Sequence, residues 1–557
     1  MNKARVFPST ISKARVITIL IFTIVAVLYL AARSNYLYGD EDYYFVAARS
    51  IHEGKPFHQV SELRERPITT APLLPLLLSP VAGNLGIHAI GSLRIVTVLL
   101  SIGGLIFAYL WIRLVFQPEL WNLVLAVATF NHIVFYFSHW LTTYALLFLL
   151  TNVILWMLAL YERGRTKLLL PLALLLGLGT LANYGAAGLC LGVMVYLLVR
   201  KKFKPVLYCG LAYIFVVSGW VMYVYFLMKS NPGTDFAYGH LFSYSLVVDR
   251  GLPWYAWSAI ARFSWTLGIY AFRVIPWLLL GFFFSGVYVF PLIASNVLKM
   301  LVGVVPSLLL ACGVSGCAWR AWHKQVKLPE FLWPFLGYLA FVIAPGSAVG
   351  PQYLMPVLLP ILYFVVQGAE QVWQFGRRRS VLKLNVARLV LVIMLVAGIG
   401  NCLLVVRLVY LETQYANGER VEPATGVPDQ LLDELLGMLE LPRPLDWLHW
   451  LEQNSHPDDR AISVKFSRYT YVYLNQPGLD LVGYGLEYDV ADIEEILSNY
   501  PQINHMIVDT RKEAFHVPNR VLETLAAQQP ERFPLLYYSP YSEIAIYAVE
   551  PPSHSAR

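Results

Sequence analysis

The stretch Tyr38-Gly39-Asp40-Glu41-Asp42-Tyr43-Tyr44 sets three consecutive carboxylates just beyond an uncharged run, Val16 to Ala32, that Arg15 and Arg33 bracket. Acids at a membrane edge are costly. Moving one toward the bilayer core costs about 2.5 to 3.5 kcal/mol on insertion scales, so membrane proteins keep them there mainly where a water-filled cavity uses them. One reading is a chamber in which these acids do chemistry. A second is a solvated helix start with Asp40 as its N-cap. A third is a divalent-cation site made by Asp40, Glu41 and Asp42.

Other polar groups recur where apolar runs turn: Arg66 ahead of Pro67, His139 in Ser138-His139-Trp140, the pair Asn183-Tyr184, and Pro351-Gln352-Tyr353. Each has a plainer reading. Arg66 can pair with Glu62 or Glu65, Asn183 and Tyr184 can close a tight turn, Gln352 and Tyr353 can cap a helix, and His139 can be a satisfied interfacial histidine. On the functional reading, all of them face one cavity on the outer side. Transporters usually hold their ionisable groups at the bilayer midplane on broken helices. Here the charges gather at the edge, which better suits an enzyme acting on a lipid-linked substrate.

The elements that must position these groups follow from composition. Of 557 residues, 57% are hydrophobic and 14% charged, more apolar surface than anything but lipid can cover, so the chain is polytopic. The net charge of +7 collects in short segments between apolar runs. That is the positive-inside pattern, and no nucleic-acid site is read from it. The five cysteines, Cys190, Cys209, Cys312, Cys317 and Cys402, lie in apolar segments without metal-ligand spacing, so neither a metal cluster nor a disulfide framework is expected. Lys3, Arg5, Lys13 and Arg15, with Ala31-Ala32 beyond the apolar run, would also fit a signal peptide. The run is longer than a signal core and reads as an anchor that stays, with the N-terminus cytoplasmic.

From that start the chain predicts about eleven membrane helices. Residues 33–93 form a first outer loop with two surface-lying helices, the first from about Asp42 to Glu53 and ending at Gly54. The Pro-punctuated stretch Ala71 to Pro80 is too broken to be a confident span. Arg94 to Arg113 encloses a crossing, and Leu120 to Tyr161 makes two helices that turn near Ser138-His139-Trp140. Leu168 to Val199, between Lys167 and Arg200-Lys201-Lys202, makes a short hairpin that turns near Asn183-Tyr184. Val206 to Met228 crosses outward to a second outer loop, residues 229–273, rich in Trp and Tyr. Two apolar stretches divided by Lys299 come next, and one must lie flat or re-enter. Otherwise Arg320, Lys324 and Arg377-Arg378-Arg379 would end outside. Phe331 to Ala369 adds two spans turning at Pro345 to Tyr353, and Leu389 to Val406 is the last. The membrane part takes residues 1–411. Residues 412–557 read as a small extracytoplasmic α/β domain, with strands at Arg460 to Phe466, Leu479 to Val482, His505 to Asp509, Phe533 to Tyr538 and Glu543 to Val549. Helices are expected at Pro444 to Gln453 and Val490 to Asn499.

In order, these features resemble the GT-C superfamily of integral membrane glycosyltransferases. The group in question contains the dolichyl-phosphate-mannose protein mannosyltransferases and the bacterial lipid A aminoarabinose transferase (glycosyltransferase family 39-like). There an Asp-Glu pair opens the first outer loop and leads into a helix like Asp40-Glu41-Asp42-Tyr43-Tyr44-Phe45-Val46-Ala47-Ala48, followed by a turn like Glu53-Gly54-Lys55-Pro56-Phe57. A basic-Pro element before a Pro/Leu-rich segment looks like Arg66-Pro67 through Ala71-Pro72-Leu73-Leu74-Pro75. A Gly/Leu-rich half-helix is matched by residues 177–184, and Gln352-Tyr353-Leu354-Met355-Pro356-Val357-Leu358-Leu359-Pro360 is similar to an Arg-Tyr-Leu-x-Pro-x-x-Pro element. The chain departs from the group at Asn183, where Lys is frequent, at Gln352, where Arg is frequent, and at Thr142-Thr143-Tyr144, where a Thr-Glu often begins a helix.

The resemblance implies transfer of a sugar from a polyprenyl phosphate to an acceptor (protein, lipid or glycan) outside the bacterial inner membrane, with inversion at the anomeric carbon. In that reaction Asp40 would be the base. Glu41 would be either its partner or a structural acid at the helix start. Arg66, Tyr184, Gln352 and Tyr353 would contact the donor, and Arg250, Arg262 and Arg273 could supply missing cations. No cofactor is implied, with a divalent cation at Asp40, Glu41 and Asp42 as the exception some members require. Two rival readings stand beside this one: a lipid or solute transporter, and a GT-C-like scaffold without activity.

Overall fold

Long uncharged runs fold as helices here because in lipid every backbone N–H and C=O must be satisfied within its own segment. The computed structural model describes residues 41–55, 71–83, 87–230, 263–281, 296–325, 327–343, 350–376, 381–416, 446–463, 476–481, 489–510, 517–539 and 543–551, with Thr18, Ile24, Ala261, Thr470 and Leu474. The membrane part holds α1 (Glu41–His52), α2 (Leu73–Leu78), α3 (Ile87–Val115), α4 (Trp121–Thr129), α5 (His132–Ser138), α6 (Thr143–Glu162), α7 (Leu169–Ala182) and α8 (Ala187–Val199). It continues with α9 (Phe203–Ser230), α10 (Ile275–Leu280), α11 (Asn296–Trp322), α12 (Leu332–Ile343), α13 (Leu358–Gly376) and α14 (Val381–Ala416). Among the described residues seven helices are long and apolar enough to cross a membrane. The bent pair Pro118–Thr129 and His132–Ser138, which turns by 51° at its break, makes an eighth. Thr166–Ala182, Tyr184–Val199 and Leu332–Ile343 are shorter apolar helices. The chain is an integral multi-pass membrane protein.

The basic connections meet at one end of the bundle. Glu162, which closes α6, takes Lys202 at 2.7 Å and Arg200 at 3.5 Å, and Arg163 donates to the Leu114 carbonyl. The ends of α3, α6 and α8 therefore lie together. Residues 168–199 leave and return on one side, as their flanking charges predict. Arg320 donates to Gln367 at 3.0 Å, which ties the end of α11 to α13 ahead of Arg377. Lys299 falls in the first turn of α11, and Gly281, with φ of +71°, ends α10.

Packing inside the bundle uses small residues. A Cβ at Gly192 of α8 would stand 2.3 Å from the Trp333 carbonyl of α12, and one at Gly188 2.5 Å from that of Gly337. Only hydrogen fits. In lipid, where burial of apolar surface gives helices no reason to associate, such backbone contact supplies the dispersion that holds them.

Past α14 the chain forms α15 (Asp446–Asn454), β1 (Arg460–Ser463), β2 (Leu479–Asp480), α16 (Val490–Asn499), β3 (Ile503–Asp509), α17 (Val517–Gln528), β4 (Leu535–Ser539) and β5 (Ile544–Ala548). The sheet order is β2-β1-β3-β5-β4, with β1 parallel to both β2 and β3, and β5 antiparallel to both β3 and β4. Successive strand residues face opposite sides. Met506 and Val508 join Ile493, Leu522 and Leu525 from α16 and α17, while Ile507 joins Trp447 and Leu451 of α15. Asp489 and Asp492 close a capping box at the start of α16.

A pH dependence arises in this sheet. Burial lowers the His505 imidazole below its ordinary value, and the Asp459 carboxylate 4.0 Å away offsets part of that. As pH falls through about 6.5, the unfolded chain binds a proton that the folded chain refuses. Protease susceptibility of the sheet should stay level above that pH and rise below it, and the rise should shrink in His505→Gln. An equal rise in the variant would remove His505 as its source.

Candidate active site

The site end of the bundle lies opposite the basic connections, since α6 runs from Thr143 there to Glu162 at the basic end over twenty residues, about 30 Å of helix. The short helix α1 is docked against this end by its apolar face. Phe45, Val46 and Ala48 pack with Leu74 and Leu78 of α2 and with Ile90, Leu93, Leu141 and Leu146. Gly54, with φ of +75°, ends the helix turn where expected. Arg49 donates to the Ala82 carbonyl at 3.1 Å and pairs with Glu53 at 2.6 Å. The amino-terminal residue of α1 is thereby aimed into the protein.

That residue is Glu41. Its side chain and that of Arg94 are both 0% exposed, and Arg94 Nη2 donates to Glu41 Oε2 at 2.5 Å. The Leu141 backbone N–H donates to Glu41 Oε1, also at 2.5 Å. Removing two charges from water is expensive, and the pair is stable only because attraction and hydrogen bonds offset that cost. Each Glu41 oxygen thus accepts from one donor in the interior. Hydropathy alone makes Arg94 the border of a crossing. Instead it lies inside α3, in a span that begins by Ile90, with its charge turned into the bundle. An arginine within an otherwise apolar helix is the signal, because such a charge faces the interior and finds a partner.

Residues 141–144 gather the rest. Leu141 holds Glu41. Thr143 Oγ1 accepts from Asn183 Nδ2 at 3.1 Å, while Asn183 Oδ1 accepts from the Gly185 N–H at 2.9 Å and turns the chain into the 3-10 segment Tyr184–Ala186. The Tyr144 ring meets the Tyr353 ring edge-on at 5.7 Å. Tyr353 lies in the 3-10 segment Pro351–Val357, and its carbonyl accepts from the Tyr338 hydroxyl at 2.7 Å. The Tyr184 hydroxyl accepts from Trp220 Nε1 at 2.7 Å.

Three of the expected donor contacts, Tyr184, Gln352 and Tyr353, thus stand in two turns that one short segment brings together with Glu41. Asn183 closes its turn, as the plainer reading has it. His139 is fully buried, with Nδ1 3.2 Å from the Phe135 carbonyl. Asp40, Arg66, Arg250, Arg262 and the side chains of Asp42 and Arg273 lie outside the described residues. Among the described residues no three His, Cys, Asp or Glu side chains stand together as a metal site would require.

No model of a protein family matches the sequence, and no curated protein does. Solved structures do match the fold. ArnT from Cupriavidus metallidurans, bound to undecaprenyl phosphate, superposes with a TM-score of 0.52 at 13% identity over 96% of this chain and 99% of that one. The Archaeoglobus fulgidus oligosaccharyltransferase in complex with Zn and sulfate does so with a TM-score of 0.50 at 14% identity over 95% of this chain and 73% of that one. A buried acid at the start of α1, a many-helix bundle and a small terminal sheet thus occur together here, and the chain shares its fold with these two membrane proteins.

Proposed function

We propose that this protein is a membrane glycosyltransferase that moves a sugar from a polyprenyl-phosphate-linked donor to an acceptor at the extracytoplasmic face, with inversion at the anomeric carbon. The observation that carries the reading is the grip of Arg94 and Leu141 on Glu41 at the bundle end opposite the basic connections. It fixes the chain one residue after Asp40. Asp40 then serves as the base for the acceptor's hydroxyl or amine proton, and Glu41 as the anchor that orients it. Positioning of this kind matters because a base must reach its proton within hydrogen-bond distance. Departing phosphate charge needs cations or hydrogen-bond donors, roles we assign to Arg66 and to the polar groups of Tyr184, Gln352 and Tyr353.

We write the reaction without a metal step, as the phosphate-sugar donor class implies. Support for the donor class comes from the fold shared with ArnT, which was captured with undecaprenyl phosphate. The C-terminal unit, residues 412–557, would stand on the same face and help receive the acceptor. The test is binding of undecaprenyl phosphate by the full chain in detergent, read by mass spectrometry of extracted lipid. Saturable binding, competed by a short alkyl phosphate, is expected. No binding would remove the donor class.

A further inference from the structure

Two buried asparagines stand apart from the residues assigned above. Asn131, 4% exposed, sits at the break between α4 and α5. Its Oδ1 accepts from the N–H groups of Ile133 and Val134 at 3.1 and 3.3 Å, which starts α5, while its Nδ2 donates to the Leu278 carbonyl at 2.6 Å. Asn401 of α14 donates through Nδ2 to the carbonyls of Leu280 at 3.1 Å and Ala397 at 2.6 Å. Leu278 and Leu280 are in the last turn of α10, whose carbonyls have no partner within the helix. Gly281 comes next, and a Cβ there would stand 2.0 Å from Asn401 Nδ2, so the amide fits only against glycine.

Both elements joined by Asn131 lead to the site. From α5 the chain passes to Leu141, whose N–H holds Glu41. Ahead of α10 lies a π-helical stretch, Tyr270–Val274, one of whose carbonyls, that of Ala271, accepts from Ser307. Such stretches are rare and occur often at functional sites. The Tyr270 hydroxyl meets the Gly350 backbone beside Tyr353. One amide side chain therefore spans the joint between the route to the carboxylates and the route to residues 350–353.

We infer that Asn131, assisted by Asn401, is a positioning residue that sets the spacing between the carboxylate side of the site and the side formed by residues 350–353. Naming those sides rests on the proposed transferase reading; the spacing role itself does not. Asn131→Ser keeps an acceptor that can cap α5 but is too short to reach Leu278. Asn401→Ala removes the tie to α10 along with the bond to the Ala397 carbonyl of its own helix.

Hydrogen exchange of the full chain in detergent, with undecaprenyl phosphate binding measured alongside, tests this. In Asn131→Ser, exchange should quicken about fivefold, the fold-change of one typical hydrogen bond, both at residues 138–144 and at residues 350–357. The middle of α6 should not change. Asn401→Ala should quicken residues 350–357 alone, and either variant should weaken undecaprenyl phosphate binding by a similar factor. Faster exchange confined to α5 would reduce Asn131 to a helix cap and overturn the proposal. If Asn131→Ser fails to fold, unchanged exchange at residues 350–357 in Asn401→Ala overturns it as well. Should the exchange pattern appear while the unaltered chain binds no undecaprenyl phosphate, the positioning role stands and the transferase reading fails.

Discussion

Replacing Asp40 with asparagine should lower sugar transfer by about 10² to 10⁴-fold, the usual contribution of a positioned acid or base, while leaving the amount of folded protein unchanged. Asparagine has nearly the same shape and is as good an N-cap as aspartate, so a helix-capping role alone would survive the change. What is lost is the ability to take a proton. Transfer measured in membranes, with Asp42→Asn as the comparison, separates the two roles. Full activity in Asp40→Asn would remove Asp40 as the base, and equal loss in both variants would point to a shared charge effect in the cluster instead.

The second large effect is expected from Arg94→Met. The substitution leaves the Glu41 carboxylate buried without its counter-charge, and uncovering one partner of a buried pair costs about 3 to 5 kcal/mol. Thermal unfolding of the full chain in detergent should show the loss. The double variant Glu41→Leu with Arg94→Met should regain much of it, because apolar residues of similar volume are often as stable as a buried ion pair. That double variant should nevertheless be inactive, since the buried grip on the first residue of α1, next to Asp40, is then lost. A stable Arg94→Met protein, or an active double variant, would show that the pair does not hold this helix in place.

Much of this arrangement is legible in sequence because it is local. Gly54 ends the first helix, Ser138-His139-Trp140 breaks an uncharged run of forty-two residues, and Asn183 turns the next run back. The strands of the terminal sheet match their β-branched and aromatic runs within a few residues. What stays hidden is pairing across distance. Glu41 and Arg94 are 53 positions apart, and Leu141 is 100 from Glu41. A hydropathy reading scores Arg94 as an edge because it weighs each charge alone, whereas the neutralised pair costs far less to bury than either half. A backbone N–H carries no residue type at all, so the Leu141 contact left no mark in the sequence. The amide ties of Asn131 and Asn401 to α10 span 147 and 121 positions and are invisible for the same reason.

Within residues 141–144 a backbone N–H, a hydroxyl and an aromatic ring each reach a different distant partner. Peripheral loops can lengthen or shorten without disturbing this register, but an added or deleted residue here would swing the start of α6 by about 100° per position. The tetrapeptide thus acts as a ruler with fixed graduations.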